Sequence, residues 1–464
     1  MRPPSRFRPL QQAVALALLS QLFACASPGK ATFTPVEATP AQPSVVVTPP
    51  ARLPEPPPPA NLPKPVNSNP PVDTAPVSVT PPIVAPAITP PAPVPAWQND
   101  KEGRRLLDAL LPRQIKDRAG WSDDIFNAFA TLKIPYTAEY FCGALSVIEQ
   151  ESSWQADPVV PGLGKMVWKE IGERAERYHV PLVLIQAAMS KSSRDGRSYN
   201  TRINALRTEK EMNALFEEIV AELGRRHLPS ISNPIRTGGP MQVGVEFAQA
   251  HAKAWPYPYP IGDSIRHEVF SRRGGLYFGI AHLLHYRADY SRQIYRFADF
   301  NAGRYASRNA AFQLAVDKLA SSSTATTAPA PKVVSKSAKG SKPAAKPQRL
   351  TPDGDLLRYE RGAPSREASD TLSALLKLTP QLGMSRSDIE RDLQSEKTER
   401  FGQTLLYRKV YELADKAAGK PLSREALPQI KLSGPKIQRK LTTAWFAERV
   451  DGRFRLCMAR VPTI

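Results

Sequence analysis

From Ser27 to about Ala96 the chain is dominated by Pro, Ala, Val and Thr, with runs such as Pro56 to Pro59. A stretch of this kind cannot assemble a core. Proline removes backbone donors and fixes φ, so the chain favours extended polyproline II at ~3.1 Å per residue. Fully extended, the segment reaches on the order of 200 Å. Everything that folds must therefore lie beyond it, from Trp97 onward. The segment reads as a stalk that carries a folded domain, or as a tether with no required reach. Both readings make residues 25–96 a disordered linker.

What precedes the linker explains why a tether is there. Arg2, Arg6 and Arg8 stand ahead of the apolar run Ala13 to Leu19, which closes with Leu22-Phe-Ala-Cys25. A basic start, a short apolar centre and small residues near the end form a secretory signal over residues 1–24. The run is too short for a comfortable membrane span. Leu-Phe-Ala-Cys resembles the lipobox of bacterial lipoproteins, with Phe23 bulkier than usual. That resemblance makes Cys25 the lipidated first residue of the mature chain. The alternative is a plain signal peptide cut nearby, which leaves Cys25 as a free thiol. Ala26 after the Cys, by resemblance to lipoprotein sorting rules, directs the protein to the periplasmic face of the outer membrane.

The folded part is expected to be mainly α. Leu106, Leu107, Leu110 and Leu111 mark one amphipathic helix, and Asp124 to Ala130 a second behind Ser122. The third helix carries the chemistry. Apolar residues recur at Phe141, Ala144, Leu145, Val147 and Ile148, behind a Thr137 N-cap and Glu139 in the first turn. It ends in Glu149-Gln-Glu-Ser-Ser-Trp154. At ~100° per residue, Glu151 points ~50° from the centre of the apolar face and Glu149 ~110° away. Glu151 is thus the acid driven inward, and Glu149 is left near water. A half-buried carboxyl beside an aromatic ring holds its proton longer, which suits a general acid. The plain alternative is a helix end with a solvated acid.

Two later segments complete a pattern: Thr237-Gly-Gly-Pro-Met-Gln-Val243 and Phe297-Ala-Asp-Phe-Asn-Ala-Gly303. In this order the three resemble the soluble lytic transglycosylase and goose-type lysozyme group. Its signatures are Glu-Ser at a helix end, then Gly-Leu-Met-Gln, then Ala-Tyr-Asn-Ala-Gly. Glu151-Ser152, Gly239 to Gln242 and Ala298 to Gly303 stand at those places. The wider wording, including Trp168 to Ala175, Arg273 to Gly279 and Phe300 to Phe312, resembles a narrower family of proteobacterial lipoproteins that carry this lysozyme-like signature. The resemblance covers about Trp97 to Leu319. It implies a lysozyme-like helical domain at 97–319 with a long helical insertion between Trp154 and Pro240. Within that insertion, Met166 to Tyr178, Pro181 to Met189 (as a buried helix) and Asn204 to Leu223 are expected to be helical.

The resemblance also implies roles. Glu151 would be the single catalytic acid, with Ser152, Gly239, Met241, Gln242, Phe300 and Asn301 holding glycan. The alternative, read from the residues, is that Met241 is core and Gln242 a cap. Phe300 replaces the family's Tyr, so the hydroxyl expected there must come from Tyr277, Tyr286 or Tyr305. The Trp255 to Pro260 loop stacks on sugar rings or packs on the surface, and Ile265 to Arg287 reads as a helix pair broken at Gly274-Gly275.

Beyond Leu319 comes a Ser/Thr run and then Lys332, Lys336, Lys339, Lys342, Lys346 and Arg349 without an acid. This is expected to be a flexible basic linker at 320–350. Residues 351–464 read as a helical extension, either a separate unit or folded back on the first domain. Cys142 and Cys457 either pair in an oxidising space, or Cys142 is a buried apolar filler. A formal net charge of +20 and a pI of 9.9 favour an anionic partner. With a secretory signal and no nucleic-acid motif, that partner is peptidoglycan glycan rather than nucleic acid. The six His residues lack metal-ligand spacing, and no phosphate loop is present, so neither metal nor cofactor is expected.

Replacing Cys25 by Ser should leave an unlipidated precursor that high-salt washing strips from outer membranes. A variant that stays membrane-bound in that wash would show that the lipid is not the anchor.

Overall fold

The computed structural model describes residues 99–224, 233–325, 349–360, 363–432 and 441–462. The expected signal sequence, Cys25, the Pro-rich stalk and most of the basic linker lie outside the described residues. What is described is mainly helical, with three two-stranded hairpins. No helix among the described residues is long and apolar enough to cross a membrane.

Local capping chemistry sets the helix starts. Helix α1 (Asp100–Leu110) begins behind Asn99, whose side chain accepts the Lys101 N–H at 2.9 Å. Helix α2 (Arg118–Thr131) begins earlier than Ser122, because Asp117 caps it by accepting the Gly120 N–H at 3.2 Å. Ser122 instead lies inside the helix and donates to Asp108 at 2.9 Å. Helix α3 (Ala138–Ser152) starts as expected: Thr137 Oγ1 accepts the Tyr140 N–H at 3.2 Å.

The insertion folds as α4 (Leu163–Arg177), α5 (Leu182–Met189), α6 (Tyr199–Asn204) and α7 (Glu209–Gly224). Two expectations fail here. The 204–223 helix is split, because Thr208 and Glu211 form a reciprocal cap, each side chain accepting the other's N–H at 3.2 Å. The 181–189 helix is not buried: only Ile185 and Met189 face inward, while Val183 is 71% and Leu184 55% exposed.

Next come hairpin β1 (Thr237–Gly238) with β2 (Val243–Gly244), then α8 (Val245–Ala254), α9 (Ile265–Val269), α10 (Arg272–Leu284), α11 (Gln293–Ala302) and α12 (Ala306–Ala325). The break between α9 and α10 falls at Phe270-Ser271, not at the glycine pair. Ser271 caps α10 by accepting the Gly274 N–H at 3.0 Å, so both glycines lie within its first turn. Helix α12 runs past Leu319, where a linker was expected, as far as Ala325.

The C-terminal region holds β3 (Tyr359–Glu360) with β4 (Ala363–Pro364), α13 (Asp370–Lys377), α14 (Thr379–Leu382), α15 (Arg386–Leu393) and α16 (Leu405–Ala418). Hairpin β5 (Lys431–Leu432) with β6 (Leu441–Thr442) then leads into the last helix, α17 (Thr443–Met458). Two cores result, and they do not divide at the expected linker. The first gathers α1, α2, α3, the insertion, α10 and α11, and also takes Phe446, Ala447, Val450 and Cys457 from α17. The second gathers Leu375, Ile389, Leu393, Phe401 and Val410 around Phe312, Val316 and Leu319 of α12. The described C-terminal elements therefore fold back on the first domain, and its closing helix is part of that domain.

Polar groups stitch the second core to α12. Arg308 donates to the Glu396 carbonyl at 2.6 Å, Asn309 donates to the same oxygen at 3.1 Å, and Gln313 donates to Asp353 at 2.7 Å. In the first core α17 lies against α3 and α11, and Cys142 of α3 is bonded to Cys457 of α17 across a sequence separation of 315 residues. Arg460 beyond the helix donates to the Leu110 carbonyl at 2.7 Å.

The unreduced, denatured protein should show no titratable thiol at Cys142 or Cys457. Replacing both by Ala should lower the unfolding free energy by roughly 2–5 kcal/mol in a denaturant titration. An unchanged midpoint would show that packing of α17 alone secures the closure.

Candidate active site

The three motif segments meet in one core. Ile148 of α3, Met241 of the β1–β2 turn and Phe300 of α11 are all buried members of the first cluster. Helix α3 is buried from Phe141 through Ile148 without interruption, so it has no single apolar stripe. Helix α17 covers the side that sequence alone assigns to water. Glu149 accordingly faces Arg453 of α17 at 3.8 Å, its side chain 40% exposed. Glu151 is half-buried, one residue before the buried Ser152 that closes the helix.

Beyond Ser152 the chain turns sharply, with Ser153 at φ 49° and Trp154 at φ 64°. Both are left-handed positions that a non-glycine residue adopts only when its surroundings hold it there. Trp154 is held by an edge-to-face contact with Trp121, ring centres 5.3 Å apart. Arg272 lies 5.6 Å over the Trp121 ring and bonds Asp117 and Asp124 of the α2 region, the latter at 2.6 Å. This aromatic and ionic bracket fixes the path of the chain just after Glu151.

The residues expected to hold glycan are mostly buried, and their polar atoms are turned to protein. Ser152 donates back to the Ile148 carbonyl at 2.9 Å. Met241 is fully buried and packs where Gly279 of α10 leaves room for it. Gln242, at φ 50°, donates from Nε2 to the Gly239 carbonyl at 3.2 Å and so braces its own turn. Phe300 is buried with its ring 5.2 Å from that of His282. Asn301 accepts a hydrogen bond from Thr443 of α17 at 2.9 Å. Gly239 takes φ +72°, and a β-carbon there would run into the Val269 carbonyl and the Gly275 α-carbon.

Two of the three replacement hydroxyls are committed elsewhere. Tyr277 donates to the Pro256 carbonyl at 2.8 Å and Tyr286 to Asp299 at 3.0 Å, while Tyr305 is buried between the Arg308 guanidinium and the Tyr286 ring. The Trp255 to Pro260 loop is packed: Tyr257 stacks on Phe278 at 5.0 Å and donates to Glu268 at 2.6 Å. Asp157, the other acid near the motif, bonds Thr208 of the insertion; burial raises its pKa.

One residue inside the third motif was passed over. Asp299 is buried and accepts from the Tyr290 hydroxyl at 2.7 Å, the Tyr286 hydroxyl at 3.0 Å, and the N–H groups of Ser307 at 2.7 Å and Tyr305 at 2.9 Å. Burial raises its pKa, and these donors oppose the rise. The signal was present as an acid set in an apolar run, Phe297-Ala-Asp-Phe300. Asp299 ties α11 to the first turn of α12, across Gly303.

Gly239→Ala should destabilise the fold by about 1–3 kcal/mol or more, since the new methyl would collide with the Val269 carbonyl at a left-handed φ. A denaturant titration checks this. An undisturbed midpoint would free Gly239 for a purely ligand-facing role.

Comparison with known proteins accords with the fold's being one assembly that runs to the last helix. The chain is 46% identical over 366 residues to the Escherichia coli (strain K12) protein named "Uncharacterized protein YaiW", a match that covers 77% of this chain and 92% of that one. No solved structure matches it. Residues 114–342 and 339–460 match the family described as "Protein of unknown function (DUF1615)", so that both the motif region and the closing helix fall inside it. The chain belongs to the DUF1615 family.

Proposed function

We propose that this protein is an outer-membrane lipoprotein that acts on peptidoglycan from the periplasmic face, cleaving the bond between N-acetylmuramic acid and N-acetylglucosamine with Glu151 as its one catalytic acid. The observation that supports the reading is the setting of Glu151: a half-buried acid in the last turn of a largely buried helix, three residues before Trp154, which packs against Trp121. Glu151 would protonate the leaving glycosidic oxygen while the substrate's own acetamido group stabilises the developing cation. The resulting carboxylate would take the proton from the muramoyl C6 hydroxyl, closing a 1,6-anhydro ring. No second carboxylate at retaining or inverting distance is then needed, one of the recognised exceptions to the two-acid scheme. The pairing of Glu149 with Arg453 and of Asp157 with Thr208 fits a one-acid mechanism.

A second reading is supported by the burial of Phe300 and by the engagement of the Tyr277 and Tyr286 hydroxyls within the protein. With those two hydroxyls engaged within the protein, the same fold would hold glycan strands, link membrane to wall and cut little.

Mass spectrometry of digested sacculi separates the two. Anhydro-muropeptides mark the transglycosylase, reducing ends a hydrolase, and bound but uncut glycan a binding protein. Glu151→Gln should lower turnover ~10²–10⁴-fold with little change in folding or glycan binding, whereas Glu149→Gln should cost far less. Equal, small losses for the two, against an active parent, would place the acid elsewhere.

A further inference from the structure

A groove of about 420 Å³ opens at the other end of α3, between the turn Leu132–Pro135 and the segment Leu284–Asp289. Its volume is in the range of small-molecule sites. Tyr140 lines it from the first turn of α3. Eleven residues separate Tyr140 from Glu151, or ~16 Å along the helix axis, so the groove is distinct from the acid.

Two features make its walls a built site. The first is a fixed histidine. His285 lines the groove, and its Nδ1 lies 3.2 Å from Nε2 of the buried His251. The Nδ1 of His251 is buried with no partner among the described residues. A bare acceptor nitrogen is tolerated more readily than a bare N–H, so His251 carries its proton on Nε2 and donates it to His285. His285 then holds its own proton on Nε2, the edge away from His251, as a neutral donor. Burial is the main reason both rings stay uncharged, with pKa values below the usual histidine range and that of His251 pushed down to about 4. The second feature is a braced loop. Arg296 donates to the carbonyls of Tyr286 and Ala288, each at 3.2 Å, and stacks 4.7 Å over the Tyr286 ring.

The charges on the rim have both signs. Lys133 stands on one wall at a left-handed position, φ 55°, and is exposed. Arg287 and Asp289 stand on the other wall, also exposed, with Arg287 3.6 Å from Glu399. Cations beside a neutral N–H donor suit a carboxylate, and Asp289 suits an ammonium group. Leu132, Ile134 and Pro135 give the Lys133 wall an apolar lining. We infer that this groove binds a small zwitterion of the amino-acid type, on the scale of a dipeptide. Lys133 and His285 hold its carboxylate and Asp289 its ammonium group.

Titration of the full chain with three probes tests this: Ala-Ala, its N-acetyl derivative and its C-terminal amide, followed by ligand-observed NMR. The free dipeptide should bind, and each blocked form should bind at least ~10-fold more weakly, a change of about 1.4 kcal/mol. Lys133→Gln should weaken Ala-Ala by a similar factor. Asp289→Asn should weaken Ala-Ala but leave the N-acetyl form unchanged. Both side chains are exposed, so an unaltered unfolding midpoint separates lost binding from lost fold. Glu151→Gln should leave all three titrations as they were. Absence of Ala-Ala binding, equal binding of the blocked forms, or indifference to both substitutions would overturn the assignment.

Discussion

The packing of α17 on α3 is the contact on which the rest of the described structure depends. A helix buried all the way round must find apolar partners on every side. Helices α1, α10 and α11 supply some of them, and the remainder come from the far end of the chain. The same helix also offers Thr443 to Asn301 and Arg453 to Glu149, so both the first and third motifs have polar side chains completed by it. The Cys142–Cys457 bond therefore reinforces a contact that packing already specifies.

Helices α11 and α12 carry a buried polar link between the two cores. Asp299 collects four donors at the end of α11 and the start of α12, and the next turn of α12 sends Arg308 and Asn309 to the Glu396 carbonyl. Each is a buried polar group with its partners supplied, and leaving such a group unpaired costs on the order of 1–3 kcal/mol. This polar chain holds the Asn-Ala-Gly turn in register with the second core. It also gives a structural reason for the wording of the third motif. Asp299 and Asn301 are spent on holding helices together.

Most helices could be read from the sequence because their caps and periodicity are local. The Thr137 N-cap and the helix marked by Leu106, Leu107 and Leu110 stand where local signals put them. The differences are partly local, where Asp117 and Ser271 cap helices whose starts were placed elsewhere, and partly non-local or reciprocal. The solvent face of α3 could not be assigned without knowing that α17 covers it, because a helical wheel describes one helix and not its neighbours. The exposure of Val183 and Leu184 was misread because an apolar run gives no sign of which side is left uncovered. The Thr208–Glu211 cap was legible, and was overlooked because the apolar spacing continues across it. At the candidate site the three segments share one core, but the sequence pattern could not distinguish residues at the surface from those that face the core. Met241 and Phe300 belong to the core.

The closing helix has a further consequence in time. Synthesis proceeds from the N-terminus, so α3 emerges long before α17, the two bonded cysteines being 315 positions apart. Until the final turns appear, the face of α3 that α17 covers has no partner within the chain. Long-range contacts of this kind form late and leave apolar surface open to other chains meanwhile. A protein truncated anywhere before Thr443 would lack not a tail but one wall of its motif helix. The Glu151 segment is thus assembled only when the last residues have arrived.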